Sequence, residues 1–318
     1  MDNPMSKTDI SIIIATRHRE DILWETVEKA CLVAKDKNIE VIVINDGDAP
    51  LHVPYSAADK IYYLENPKRG VSAARNFGAS LAKGDILFFL DDDMWINNEV
   101  IEWINTNLVN AQKTEAVYYI NWEYPPPLKR LLTKTKIGRY LLSTNYHTLW
   151  GRLHKNTTVP PSGLYQYDSV GSGSLVMHKK IFNALGGYNE RLIFQGEDAD
   201  LAGKLNHLFI SIYIVFDVTL YHNHKDRLEI NNFLKRSYEG FGSEFKGVKK
   251  GMIIPLSAIT YRGIKKMIFE FSRITEKGWI LLLNALPNHR IVEPLNNKLI
   301  GSLGGLQRYK QWRNIIGK

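Results

Sequence analysis

The apolar run Ile86–Leu90 leads directly into three consecutive carboxylates, Asp91-Asp92-Asp93. Adjacent negative charges repel one another, so such a cluster is costly unless a cation or hydrogen-bond donors compensate it. The run before it reads as a strand covered on both faces. Ligands of open α/β sheets bind outside the carboxyl ends of their strands. Carboxylates placed there suit holding a diphosphate, because Mg²⁺ or Mn²⁺ bridges both sets of oxygens. The same residues also read as a solvated acidic turn ahead of a helix that begins near Asn97. Other segments point at the same sheet edge. Asp46, in Asn45-Asp46-Gly47-Asp48, is placed to accept hydrogen bonds from a base or ribose, or simply sits in an Asp-Gly turn. Thr16-Arg17-His18-Arg19 follows the first apolar run and offers two arginines to a pyrophosphate. Arg69–Asn76 puts small residues and Arg75 just before the Ile86–Leu90 run.

Two later segments carry further chemistry-bearing groups. Gly196-Glu197-Asp198 opens a helical pattern, with both carboxylates near the positive end of the helix; ordinary complementation of the helix dipole is the simpler reading. In Tyr221-His222-Asn223-His224 two imidazoles stand at i and i+2, a spacing that on an extended segment puts them on one face. Gly171-Ser172-Gly173-Ser174 lacks the Gly-x-Ser-x-Gly spacing of a nucleophile elbow, which argues against that hydrolase class. Its glycines permit close backbone approach.

These groups need strands and helices to position them. Ile10–Ala15, Val41–Ile44, Lys60–Leu64 and Ile86–Leu90 read as strands, separated by helical patterns at Asp21–Lys35 and Ser72–Lys83. That alternation predicts a parallel α/β sheet. A helix at Asn97–Asn110 and a strand at Ala116–Asn121 follow. The Pro run Tyr124–Pro127 stops regular structure, and a basic stretch, Lys129–Arg139, comes next. Regular signals resume at Ser169–His178 (strand), Lys179–Leu185 and Asp198–Leu208 (helices) and Ser211–Leu220 (strands). From about Leu228 the pattern is helical, without β-alternation.

In this order, the pieces resemble the family 2 glycosyltransferases: Ser11–Thr16, Val43–Gly47, Gly70–Gly78, Leu90–Asp93 as a DxD signature, Gly186-Gly187-Tyr188-Asn189-Glu190 and Gly196–Leu201. The resemblance covers roughly residues 8–225. It implies the GT-A fold, Rossmann-like with a mostly parallel sheet flanked by helices, and an inverting transfer from a nucleotide-sugar donor, UDP more readily than GDP or dTDP. It also implies Asp198 as general base, with Glu197 orienting the acceptor or the base. Thr16, Arg17, Asp46, Arg75, Asp91 and Asp92 would then surround the nucleotide sugar, Asp46 and Asp91 at the base and ribose. Asp93 and His222, in preference to His224, would hold a divalent cation, Mn²⁺ or Mg²⁺. The division this suggests is a catalytic domain at 1–225, with a nucleotide-sugar-binding half at about 8–123 and an acceptor half at 124–225, and a helical, basic extension at 226–318.

Composition bounds the rest. The chain has 318 residues and 44% hydrophobic content, enough for a sizeable packed core. One cysteine, Cys31, excludes an internal disulfide framework and a Cys-based zinc site; it reads as inert core. No apolar leader and no span of ~20 apolar residues is visible, so a cytoplasmic location is expected. Residues 225–318 hold 18 Lys and Arg against 7 Asp and Glu, a net of +11 in a chain whose net is +8. Such an excess fits an anionic partner; no nucleic-acid motif accompanies it. Around Lys265, Lys266 and Arg273 the apolar residues fall at helical spacing, which reads as an anionic-membrane-surface helix or as a helix packing on the catalytic domain. The first suits a lipid-linked or polysaccharide acceptor, the second a protein, peptide or small-molecule acceptor. A sugar-nucleotide pyrophosphorylase would want glycine in the Thr16–Glu20 loop, which has none, and an inactive membrane-associated scaffold would not need the intact carboxylate pairs.

Overall fold

Runs of β-branched and aromatic residues form the strands, and the positions they bury are the ones that position the site. The computed structural model describes residues 8–110, 115–154, 159–192, 196–239, 245–249, 252–255 and 261–316. The chain forms two compact units. The first comprises residues 1–123, 160–223 and 248–252; the second comprises 124–159, 224–247 and 253–318. Compactness thus groups the segment after Glu123 with the C-terminal helices, where the sequence division follows chain order.

The first unit opens with β1 (Ile10–Thr16), α1 (Glu20–Ala34), β2 (Ile39–Asn45), the short α2 (Tyr55–Ala58), β3 (Tyr62–Glu65), α3 (Val71–Leu81) and β4 (Ile86–Asp91). All three pairings among β1 to β4 are parallel, as the alternation predicts. Next come β5 (Met94–Trp95), α4 (Asn98–Ile104) and β6 (Ala116–Glu123), then β7 (Leu164–Tyr167), β8 (Ser174–His178), α8 (Lys179–Ala184), α9 (Glu197–His207) and β9 (Ser211–His222). The strand order is β3-β2-β1-β4-β8-β6-β9-β5, with β7 also on β9. Beyond β4 the sheet is mixed, because β8 lies antiparallel between β4 and β6 while β9 runs parallel to β6. The short β5 and β7 escape a periodicity reading. Each has too few residues to show alternation.

Ile13, Ile42, Ile44, Leu87, Phe89, Leu175 and Met177 form the sheet side of the core, and Ala74, Phe182 and Leu201 pack onto it from helices. Asp91 is itself the last residue of β4, one position beyond the apolar run. The register between β6 and β9 shifts after Ile120, so that Asn121 faces Thr219. Extra residues in one strand bend it. Past that irregularity β9 runs two residues further than its apolar pattern suggests, and His222 is a strand residue paired with Met94 rather than part of a following loop. Cys31 is half-buried, and burial pushes its thiol pKa up.

In the second unit the Pro run does more than stop a strand. Pro126 is the first residue of α5 (Pro126–Leu132), where its fixed φ is preorganised for a helix. The basic stretch forms α5 and α6 (Lys136–Ser143), and α7 (Leu149–Leu153) follows. Further on come α10 (Ile230–Glu239), α11 (Gly263–Ala285) and α12 (Glu293–Ile316). The short strands β10 (Phe245–Lys249) and β11 (Met252–Pro255) interrupt the expected all-helical pattern. Helix α12 packs against α6, α10 and α11. Among the described residues no helix is long and apolar enough to cross a membrane.

Candidate functional site

Parallel strands β1 and β4 end side by side, which brings Thr16 next to the carboxylate run. The Thr16 hydroxyl donates to Asp92 at 2.7 Å, and the Thr26 hydroxyl of α1 donates to the Asp92 carbonyl at 2.8 Å. The counter-ion of the cluster is Arg19: its guanidinium donates to Asp92 at 2.5 Å and to Asp93 at 2.8 Å. Burial pushes the Asp92 carboxyl up to about 6, against the attraction of Arg19 and with the repulsion of Asp93. The cost expected of three adjacent carboxylates is therefore present, and the fold answers it with a fork of donors and a raised proton affinity.

Asp93 is fully buried, and its Oδ1 lies 3.0 Å from His222 Nε2. The β5–β9 pairing makes that contact possible, and the Asn223 N–H holds the strand end by donating to the Asp93 carbonyl at 2.7 Å. The indole of Trp122 meets the His222 ring edge-on at 4.7 Å. A buried carboxylate beside a buried imidazole, both of ligating type, is a donor set that suits a borderline divalent ion such as Mn²⁺. His224 belongs to the second unit, where its Nδ1 is 2.7 Å from the Tyr124 hydroxyl.

A second buried cation ties the end of β4 to α9. Arg75 lies on the inner face of α3 and donates to Asp91 at 2.8 Å and to Glu197 at 3.2 Å. It also stands over the Tyr188 ring, 5.5 Å from its centre. Burial alone would lower the Arg75 pKa, but the facing Asp91 and Glu197 carboxylates hold it above its ordinary value. Burial pushes Glu197 up to about 7, reinforced by Asp198 and opposed by Arg75. Gly196, whose φ of +94° is a conformation that glycine adopts without strain, turns the chain into α9 and sets both carboxylates in its first turn.

Asp198 accepts from the Ser172 N–H at 2.9 Å and from the Ser172 hydroxyl, both on Oδ1. The glycine beside that serine is needed for space: a Cβ on Gly173 would lie 2.2 Å from Asp91 Oδ2. Asp46 has a structural hold on the loop before α3, accepting from the Gly70 N–H at 2.7 Å and from the Asn66 amide at 2.6 Å. Arg17 is half-buried just past β1. The structure thus brings Thr16, Asp92, Asp93 and His222 into one cluster and Arg75, Asp91, Glu197 and Asp198 into another, at adjoining ends of one sheet. Sequence reading missed Arg19 as the counter-ion of the aspartates and Ser172 as the partner of Asp198. Arg19 was visible as one of two arginines after β1, whereas nothing in the Gly-Ser segment specified Asp198.

Residues 11–153 match the family described as Glycosyl transferase family 2. Among curated proteins, glycosyltransferase GlyA of Streptococcus pneumoniae is 33% identical over 117 residues, which is 35% of this chain and 17% of that protein. WfaP of Escherichia coli, a UDP-Glc:alpha-D-GlcNAc-diphosphoundecaprenol beta-1,3-glucosyltransferase, is 33% identical over 115 residues, covering 35% of this chain and 43% of that one. The chain spans less than half the length of these relatives. Among solved structures, TarS of S. aureus aligns at 15% identity with a TM-score of 0.47, over 97% of this chain and 55% of that one. Residues 11–153, a little under half of the chain, are thus similar to glycosyl transferase family 2, and this stretch includes strands β1 to β4 and the carboxylate run at the end of β4.

Proposed function

We propose that this chain is a metal-dependent, inverting glycosyltransferase that moves a sugar from a nucleoside diphosphate sugar, a UDP-sugar in the first instance, to an acceptor hydroxyl in polysaccharide or lipid-linked glycan synthesis. The observation that carries the reading is the Asp91–Arg75–Glu197 bridge. It joins the carboxylate end of β4, suited to a diphosphate, to the first turn of α9, where Asp198 stands. The printed activity of the E. coli relative, a transfer from UDP-Glc to a diphosphoundecaprenol-linked sugar, supports the donor and acceptor classes.

Each side chain has a part in such a transfer. Asp93 and His222 would hold a divalent ion, which supplies positive charge to the leaving diphosphate. Asp46 and Asp91 address the base and ribose, while Arg17 and Thr16 lie at the strand end that receives the phosphates. Ser172 saturates Oδ1 of Asp198 and leaves Oδ2 without a protein hydrogen bond among the described residues. Oδ2 is therefore the atom that takes the acceptor proton as the hydroxyl attacks. Burial and Asp198 both push Glu197 towards its neutral form, which lessens the negative charge beside that base. The place of action is the cytoplasm, where nucleotide sugars are held.

A panel of nucleotide sugars tested by thermal unfolding, with and without Mn²⁺, decides the reading. Saturation at 100 Kd adds roughly 2.7 kcal/mol of stability, a rise of roughly 5 °C or more in Tm. One nucleoside diphosphate sugar should give that rise only with the metal. No stabilisation by any of them in Mn²⁺ rejects the proposal.

A further inference from the structure

Helix α11 presents two apolar faces, and among the described residues only one is covered. On the inner face Phe269 stacks on Tyr309 of α12 with ring centres 5.2 Å apart, Glu276 pairs with Lys310 at 2.8 Å, and Leu283 is buried. On the outer face Ile264, Met267, Ile268, Phe271, Ile274 and Leu281 are 76%, 71%, 57%, 63%, 79% and 69% exposed. At 3.6 residues per turn these six fall within an arc of about 140° along a helix ~34 Å long. Solitary exposed apolar residues are ordinary, but a continuous stripe of this length marks an interaction surface. A groove of about 660 Å³ adjoins it, lined by Ile268, Phe271, Trp279, Leu303 and Leu306, with Arg308 also on its wall.

The charges around the stripe identify what covers it. Its two acidic neighbours on α11 are already neutralised. Glu270 accepts from Arg273, Arg313 and Tyr309, and Glu276 accepts from Lys310 and Gln307. Lys266 and Lys277 border one edge of the stripe and have no acidic partner among the described residues, and Lys265, over the Tyr261 ring at 5.4 Å, borders the other. A second copy of α11 would bring like charges together along both edges. An anionic surface meets all three lysines with opposite charge, in a C-terminal region whose net is +11. Six charged residues within the helix rule out a span, and the arrangement is that of a helix lying in the interfacial plane.

We propose that the outer face of α11 binds the surface of an anionic phospholipid bilayer, with the stripe in the acyl boundary and Lys265, Lys266 and Lys277 among the headgroups. The inference stands apart from the catalytic reading, since lipid binding is measured without donor, metal or turnover. The test is flotation of the full chain with phosphatidylcholine vesicles and with vesicles containing phosphatidylglycerol. The bound fraction should be several-fold higher on the anionic vesicles and should fall with added salt. Phe271→Glu with Ile274→Glu changes only exposed side chains, so thermal unfolding should be preserved while binding drops by about tenfold or more. Lys266→Glu with Lys277→Glu should remove the preference for anionic vesicles, each lysine being worth roughly fivefold. Equal binding to both vesicle types overturns the proposal, as does binding that the Phe271→Glu/Ile274→Glu variant retains. A wild-type dimer in light scattering that this variant converts to monomer also overturns it, because the stripe is then a contact between copies.

Discussion

Replacing Glu197 by Gln should change the way stability depends on pH. In the fold this carboxyl is pushed from the ordinary 4.5 up to about 7, with burial the largest cause, Asp198 adding to it and Arg75 opposing it. The folded chain therefore keeps a proton over a range in which the unfolded chain has already lost it. Stability from this group is fully present below about pH 4.5 and is lost as pH rises through about 7. The displacement corresponds to roughly 3 kcal/mol, and the side chain is 14% exposed, so solvent screening takes little of it away. Gln has the same shape and cannot ionise, so the variant lacks this loss. Between pH 4.5 and 8 the variant should gain roughly 3 kcal/mol on the wild type, or roughly 5 to 10 °C in relative Tm. The measurement is thermal unfolding of both proteins in chelator across that range. Asp92, also raised, is common to both and cancels in the difference. Two parallel curves would refute the reasoning, because they would mean that the pull of Arg75 on the carboxylate cancels the effect of burial.

Other substitutions separate the roles assigned around the sheet edge. Asp93→Ala should abolish Mn²⁺-dependent turnover and Mn²⁺-dependent donor binding while the fold persists; unchanged Mn²⁺-dependent activity removes Asp93 from the metal. Asp198→Asn should keep donor affinity and lose transfer by ~10² or more, and a parallel loss of donor binding assigns the residue to the donor instead. Gly173→Ala puts a methyl 2.2 Å from Asp91 Oδ2, so the carboxylate that Arg75 holds must shift. It should cost about 1 to 3 kcal/mol in urea unfolding, and a neutral result means that the β4 end yields without cost.

Legibility in the sequence followed the strength of the physical signal. Ile10–Ala15 and Ile86–Leu90 were plain because a strand buried on both faces must be apolar throughout, and each boundary erred by about one residue where a polar terminal residue joined the ladder. The Pro run was half read: proline ends a strand, but at the first helical position it also begins α5. The placement of β8 antiparallel between β4 and β6 was not legible, since order and direction depend on long-range pairing rather than on local pattern. The same holds for the extension of β9 to His222. It depends on an irregularity opposite Ile120 that no alternation reveals.

At the candidate site the residue types were legible but their pairings were not, and charge balance explains the difference. A cluster of five carboxylates, Asp91, Asp92, Asp93, Glu197 and Asp198, announces that cations must lie nearby. It does not say which ones. The sequence offered Arg17, Arg19, Arg69 and Arg75 at one sheet edge. The fold uses Arg19 for Asp92 and Asp93 and Arg75 for Asp91 and Glu197, because those two side chains emerge on the inner sides of α1's entry turn and α3. Two guanidiniums are fewer than five carboxylates, of which Asp92 and Asp93 are buried and Asp91 is 38% exposed. The remainder appears as raised proton affinity at Asp92 and Glu197 and as hydrogen bonds from Thr16 and Ser172. On the proposed reading, a divalent cation at the aspartate–histidine pair, whose atoms stand 3.0 Å apart, would offset part of the remaining negative charge. On that reading the charge balance, more than any single motif, links the carboxylate run in the sequence to the proposed diphosphate chemistry.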